Sequence, residues 1–459
     1  MPVDRPPPDS PAEDTAPAPA PFRSLGEYAY PAMPADDAVR SWWSRLRQVF
    51  VAVEESAPLI AEDRLQRATD GGFAPGRARP SCDPLRRELD AALTDWATGP
   101  PDPFVPRLQL IVLPPGDGDG DEEGLLAAWA KRHGLDVLAP PPRDGKGGFT
   151  APTSRPPDLR PQPRDDEPAG REPAGSERGA EADARPLVVP RLERWFLRRH
   201  NGLEPVRTLL KAIDRADRRV VIGCNSWAWA FLKIAVDAHL VLPAGRTFVA
   251  FDAERLSEWF REMAADGSSD PVSFRLSATG GHVLKQGEQE DASNGDAPNG
   301  AATNYYRTLA ARSLGVPWVA WDLWRRSLRS ENLSHRQAEQ DAAAGNGAAA
   351  NGADESASPP DDPERQTLWV AALEEFTLPA RHEPDALLML QSLLIHGPLT
   401  EAELFATLPA LQCGGAGVLS ALAGAGFVSR SGNRVACAPA AYPSVRAGLS
   451  ASGFPLDTL

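Results

Sequence analysis

Between Leu108 and Met263 the chain alternates short, continuously apolar runs with segments whose apolar residues recur every three to four positions. No other feature constrains the fold as strongly. Leu108 to Leu113, Leu187-Val188-Val189, Val220 to Cys224 and Thr247 to Phe251 read as strands buried on both faces. Between them the spacing predicts helices through Leu125, Leu126 and Trp129; through Leu192, Phe196 and Leu197; through Val206, Leu209, Leu210 and Ile213; and from Ser226 through Trp227, Ala230, Phe231 and Ile234. A further helix, Ala253 to Met263, follows Asp252, which can cap it. A strand without a polar face must be covered twice, and crossover helices supply the cover. The expected core is therefore α/β, with a mainly parallel sheet and helices on both faces.

Around this core the composition changes repeatedly. Residues 1–24 are rich in Pro, Ala and Asp and are expected to stay disordered. Residues 25–104 form a helical preface: Asp36 to Glu54 carries Val39, Trp42, Trp43, Leu46, Phe50 and Val53 at helical spacing, and Pro84 to Trp96 carries Leu85, Leu89 and Leu93. The core, 105–283, is interrupted at about 140–185 by a Pro/Arg/Asp/Gly tract without apolar periodicity, read as a disordered insertion. Low-complexity linkers, 284–301 and 334–365, flank a helical section, 302–333, with helices Tyr305 to Arg312 and Pro317 to Leu328. The tail, 366–459, reads as a winged helix. Its helix Asp385 to His396 stops at Gly397, Thr400 and Glu403 form a capping box, and a third helix lies near Gly417 to Ala425. A hairpin then turns at Ser431-Gly432-Asn433.

With 459 residues, of which 42% are hydrophobic, the chain can bury two or three cores. Its formal charge of −15 disfavours broad attraction to DNA or anionic membranes. Cys82, Cys224, Cys413 and Cys437 are scattered without a CxxC pair, which fits a reducing, cytoplasmic setting. No apolar run approaches the ~20 residues of a membrane span, so membrane association is expected only through a partner.

The chemistry-bearing segment is Leu113-Pro114-Pro115-Gly116-Asp117-Gly118-Asp119-Gly120-Asp121-Glu122-Glu123-Gly124. It joins a strand to a helix, the layout of a phosphate-binding loop, but lacks Gly-Lys-Ser/Thr. With Gly120 aligned as the second glycine, Asp121 takes the lysine position and Glu122 the magnesium hydroxyl position. Like charges ~4 Å apart repel by about 4 kcal/mol at an effective dielectric of ~20, which disfavours a triphosphate in the usual pose. Asp117, Asp119 and Asp121 also alternate like the first calcium ligands of an EF-hand. Glu122 replaces the turn glycine and Ala128 the closing glutamate, so no cage is complete, and a solvated acidic turn is favoured over calcium.

The order of elements resembles that of bacterial AAA+/STAND-like P-loop ATPases, which end in a helical lid and a winged helix; the resemblance covers roughly residues 105–455 without the insertions. In Leu187-Val188-Val189-Pro190-Arg191-Leu192-Glu193-Arg194-Trp195-Phe196-Leu197-Arg198, Pro190 stands where the family's Walker B acid would be. Glu193, further along, is favoured as an exposed helix residue beside Arg194 and Arg198. Ile222 to Trp229 resembles the family's sensor strand. Asn225 and Ser226 at its end are equally open to a retained polar role and to simple capping of the next helix. Ser313-x-Gly315-x-Pro317 is similar to the lid entry. Because phosphoryl transfer rests on cationic positioning and metal, loss of the lysine, hydroxyl and acid together implies loss of hydrolysis.

These features predict a non-catalytic regulator or scaffold, a pseudo-ATPase without catalytic residues, metal or cofactor, with ATP and magnesium disfavoured. It is expected to act on a protein partner, such as a catalytic ATPase sibling or a membrane complex. Two alternatives stand beside this reading: a residual ATP-binding switch, and a winged-helix transcriptional regulator. From Pro398 through Gly426 the tail has no Lys or Arg, which disfavours DNA. Leu419 and Leu422 are the expected apolar contact residues, and Arg430 and Arg434 the cations of the wing. The seven histidines are isolated; His200, in Arg198-Arg199-His200-Asn201-Gly202, is favoured as part of a helix C-terminal cation run over an anion ligand.

Overall fold

A computed structural model of the chain describes residues 22–34, 59–61, 82–100, 102–117, 124–145, 148–150, 156–159, 185–266, 273–284, 298–331, 367–379, 383–457 and 459. The elements run β1 (Phe22–Ser24), β2 (Leu59–Ala61), α1 (Asp83–Thr98), β3 (Leu108–Leu113), α2 (Leu125–Arg132), β4 (Asp136–Val137), β5 (Leu187–Val189), α3 (Glu204–Arg215), β6 (Val220–Asn225), α4 (Ser226–Ala235), β7 (Arg246–Phe248) and α5 (Ala253–Asp266). They continue with β8 (Ser273–Leu276), α6 (Pro298–Arg312), α7 (Pro317–Ser327), β9 (Leu328–Glu331) and β10 (Thr367–Val370). The tail comprises α8 (Glu383–His396), β11 (Leu399–Thr400), α9 (Glu401–Thr407), α10 (Gly415–Gly424), β12 (Val428–Ser431), β13 (Arg434–Cys437) and α11 (Tyr442–Ala451).

The α/β expectation holds in its broad form: the central sheet has the order β1-β7-β3-β6-β5-β4, and β3 to β7 are all parallel. Leu110, Ile111, Val112, Val188, Val189, Val220, Val221 and Ile222 are all fully inaccessible, as unbroken apolar strands require. Register sets where the loops leave the sheet. Leu113 pairs with Asn225, so β3 and β6 end side by side, while β5, whose Val189 pairs with Ile222, stops three residues earlier at the same end of the sheet. Gly223 is required there, because a Cβ would run into the Pro190 carbonyl and lie 2.9 Å from the Leu126 side chain.

Several expectations need correction. Phe22–Ser24 falls in the stretch expected to be disordered, yet it adds an antiparallel edge strand to β7 and buries Phe22. The helix expected through Leu192, Phe196 and Leu197 is a single 3-10 turn, Leu192–Trp195, followed by extended Phe196. Leu192, Glu193, Trp195, Phe196 and Leu197 are all buried, a demand that one helical face cannot meet, and the Arg143 guanidinium takes up the Arg194 and Phe196 carbonyls at 3.2 and 3.4 Å. His200 therefore lies in a turn, with Asn201 left-handed at φ 56°. The strand expected to reach Phe251 ends at Phe248, where its three-residue partner β1 ends, and Phe251 N–H turns to the Gly315 carbonyl.

The supposed insertion at about 140–185 is partly structured. Arg143 and Phe149 form a bridge, the Arg143 side chain packs against Glu403 of the tail, and Arg218 donates to the Leu159 carbonyl at 2.7 Å. The segment Asp36 to Glu54 lies outside the described residues, as do 335–365 within the second linker.

A second sheet, β2-β9-β10-β8, was not anticipated. Thr367–Val370, at the start of the stretch assigned to the tail, pairs parallel with β8 and antiparallel with β9. Trp259, Phe260, Phe274, Trp321 and Trp324 stack against one another between this sheet and α5–α7. The tail itself places α8, α9 and α10 against a three-stranded antiparallel sheet, β11-β13-β12. Its capping box forms as expected: Glu403 N–H reaches Thr400 Oγ1 at 3.2 Å and Thr400 N–H reaches Glu403 Oε2 at 2.8 Å. Leu419 and Leu422 are 1% and 0% exposed, which corrects their assignment as contact residues: they hold α10 to the tail core. Among the described residues, no helix is long and apolar enough to cross a membrane.

Candidate functional site

The C-terminal ends of β3, β5 and β6 converge where an open parallel sheet ordinarily receives its ligand. Gly116 adopts φ 91°, turning the chain after β3 toward α2. Of the loop positions singled out from sequence, Gly116 is described, whereas Gly118, Gly120, Asp121 and Glu122 lie outside the described residues.

The ends of this loop are occupied by the protein's own groups. Leu125 N–H, at the start of α2, donates to Asp117 Oδ1 and Oδ2 at 3.1 and 3.0 Å. A helix N-terminus favours negative charge, and here a side-chain carboxylate sits where a phosphate would bind. Arg191, next to Pro190, sends its guanidinium into the same space, donates to the Asp117 carbonyl and lies 4.0 Å from Glu193. A Cβ on Gly124 would stand 2.7 Å from Arg191 Nη2 and 2.8 Å from Asp117 Oδ2, so Gly124 lets the three groups close together.

Glu193 is not the exposed residue expected from sequence. It is 5% exposed, and its Oε2 accepts Asn225 N–H at 3.2 Å. Burial raises its carboxyl above the ordinary carboxylate range, opposed by Arg191 and by hydrogen bonds from its own backbone and that of Asn225. Burial likewise raises the thiol of Cys224 well above its ordinary value, with Glu193 adding to the rise.

Of the two roles left open for Asn225, the structure shows the capping of the next helix. Its Oδ1 accepts Ala228 N–H at 2.7 Å and caps α4, while its Nδ2 donates to the Ile395 carbonyl of α8 at 3.1 Å. Ser226 donates through Oγ to Asp457 Oδ2 at 2.6 Å; Tyr442 OH and Arg446 Nε also reach that carboxylate, each at 3.0 Å. Helix α7 joins the closure, Trp318 Nε1 donating to the Pro115 carbonyl at 2.9 Å and Asp322 Oδ2 accepting Ala440 N–H at 3.0 Å. Further along the seam, Arg198 N–H meets His396 Nε2 at 3.2 Å; burial, with Arg143 and Arg198 nearby, holds His396 well below its ordinary value and therefore neutral.

What remains is a cavity of about 40 Å³, bordered by Asp117, Glu193 and Asn225 on the core side and by Leu394, Cys437 and Tyr442 on the tail side. Small-molecule sites ordinarily hold ~300–1,000 Å³, so the space left between these described residues is on the scale of a water molecule. Among the described residues, no group of three or more His, Cys, Asp or Glu side chains could hold a metal ion. On the β12–β13 hairpin, Arg430 pairs with Glu401 at 2.6 Å and Arg434 donates to the Pro398 carbonyl at 3.1 Å.

Sequence reasoning brought Gly116, Pro190, Glu193, Asn225 and Ser226 to one locus. It missed Asp117, Arg191, Trp318, Ile395 and Asp457 as the groups that fill it. Glu193 carried a signal, since it is the one acid in the stretch Leu187 to Arg198; Asp457 carried none. No family model matches the chain, and neither does a curated protein or a solved structure.

Proposed function

We propose that this chain is a non-catalytic regulatory or scaffold protein, built on a degenerate P-loop ATPase-like core with a winged-helix tail, that acts by binding another protein in the cytoplasm. The observation that carries the reading is the self-filled loop. Asp117 occupies the helix N-terminus, Arg191 the space beside it, and Asn225 is committed to the tail. Supporting it, the strand that enters the loop lies beside the sensor-like strand, with the strand ending at Pro190 next to that. A nucleotide would have to displace all of these contacts and would still meet Pro190 instead of an acid. The tail favours protein over DNA as partner, because both wing arginines have intramolecular partners. Ile234 and Leu240, 81% and 77% exposed at and just beyond the end of α4, supply an apolar surface instead. A catalytic ATPase sibling or a membrane complex is the partner class this fits.

Turnover and melting measurements test the reading. The protein is expected neither to hydrolyse ATP nor to gain stability from Mg-ATP; a ligand at 100 times its dissociation constant would add about 2.7 kcal/mol, so a saturable melting shift with nucleotide overturns it. A partner identified by cross-linking in source-cell extract should be lost on Ile234→Asp with Leu240→Asp and retained on Arg430→Ala.

A further inference from the structure

The last turn of α8 joins the tail to the core at two consecutive residues. The Ile395 carbonyl accepts Asn225 Nδ2 at 3.1 Å, and His396 Nε2 accepts the Arg198 N–H at 3.2 Å. The Arg198 guanidinium reaches the same helix at Gln391 Oε1, also at 3.2 Å. A ring nitrogen that accepts a hydrogen bond carries no proton of its own. The proton of His396 therefore sits on Nδ1, which is buried and has no hydrogen-bond partner among the described residues. The ring is 1% exposed and lies 4.9 Å from the Phe196 ring.

The surroundings oppose a second proton. Arg143 and Arg198 act directly on the ring, and both disfavour a positive charge there. The elements packed on α8 bring further groups: Glu193 and Arg194 from the turn after β5, Glu401 and Glu403 from α9, and Arg434 and Cys437 from β13. Helix α11 brings Tyr442 and Arg446, α4 brings Lys233, and α10 brings none. The acids are engaged elsewhere: Glu193 accepts Asn225 N–H, Glu401 pairs with Arg430, and Glu403 faces Arg143. Among the described residues, no carboxylate pairs with the ring, so nothing offsets its protonation.

We propose that His396 is an acid-sensitive latch between core and tail: a proton on Nε2 turns the acceptor into a donor aimed at the Arg198 N–H, and the last turn of α8 lets go of the core. Burial, Arg143 and Arg198 hold the latched ring well below the ordinary 6.5, whereas a released ring takes up its proton near that value. The latch is therefore at full strength above the ordinary value and weakens as pH falls through it. With the latched ring neutral throughout, release becomes about tenfold more favourable between about pH 7.5 and about pH 5.5. Release also frees Asn225 from Ile395 and opens the cavity that Leu393 and Leu394 border. None of this depends on what the chain binds.

Hydrogen exchange on the full chain, corrected for the intrinsic pH dependence of exchange, tests the latch. Protection of the Arg198 amide and of the last turn of α8 should fall about tenfold over that pH range, while protection of α1 holds. His396→Gln can accept the Arg198 N–H without titrating, so its protection should be the same at both ends of the range. Glu193, whose raised carboxyl works in the opposite sense, is removed in a Glu193→Gln background, where the fall should persist. If His396→Gln fails to fold, the imidazole resonances of the parent decide the matter: they should stay those of a neutral ring protonated on Nδ1 wherever protection persists. A ring that titrates near its ordinary value without loss of protection overturns the proposal, as does protection that does not change with pH. A fall of equal size in parent and glutamine variant, or one shared by α1, overturns it too, because the seam then opens without His396 or the whole chain unfolds.

Discussion

At the scale of single residues, Asn225 shows how one side chain can serve two elements at once. One oxygen caps α4 and one nitrogen ties that cap to the Ile395 carbonyl, so Asn225→Ala removes a helix cap and leaves a buried carbonyl unpaired. The expected loss is about 1–3 kcal/mol in urea unfolding. Asn225→Asp keeps the cap but sets a carboxylate against Ile395, and should speed amide exchange in α8 more than in α4. Glu193 makes a pH prediction. Its folded-state carboxyl is raised above the unfolded value, so the native state holds the extra proton, and stability falls as pH rises from the ordinary carboxylate range toward the raised value. Glu193→Gln can still accept Asn225 N–H without ionising. Its unfolding free energy should therefore gain on the parent's as pH rises from about 4.5 upward, and a constant difference across pH would show that Glu193 ionises no differently on folding.

At the scale of elements, β3, β5 and β6 were legible because each is a predominantly apolar run. Helices α1 and α3 were legible because their buried residues recur at a helical period, whereas α8, buried on nearly every side, was legible from its length and its Gly397 stop. The 3-10 turn after β5 was not: consecutive buried residues erase the period, and what replaces the helix is an arginine from a tract that looked unstructured. Sheet β2-β9-β10-β8 was hidden for a related reason, since its strands are three or four residues long and come from distant segments. In the tail, three helices and a hairpin fall in the expected order, β11 and α11 were not anticipated, and the surface was misread because a Gly/Ala/Leu helix does not reveal which leucines point inward. Leu422 is fully buried, so Leu422→Ala should cost about 2–5 kcal/mol, and Leu422→Asp should unfold the tail instead of selectively blocking a partner. Near-native far-ultraviolet dichroism and melting for Leu422→Asp would contradict this placement.

At the scale of the whole molecule, Asp457 is the residue on which core and tail depend most. It is buried and takes hydrogen bonds from Ser226, Tyr442 and Arg446. Asp457→Ala should lower stability by roughly 2–5 kcal/mol and raise protease sensitivity around Pro398. Unchanged sensitivity there would mean that the tail is held without it. Tyr30 OH donates to the Leu459 carbonyl beside this cluster, and the Arg446 guanidinium lies over the Tyr30 ring at 4.9 Å, so a segment from the first tenth of the chain meets one from the last. These contacts span separations of 231 and 429 residues. Their consequence falls in the ribosome's time frame. Chain growth at ~5–20 residues per second leaves Ser226 waiting roughly 12–46 seconds for Asp457, so the contacts that join core and tail can form only once the last residues are made.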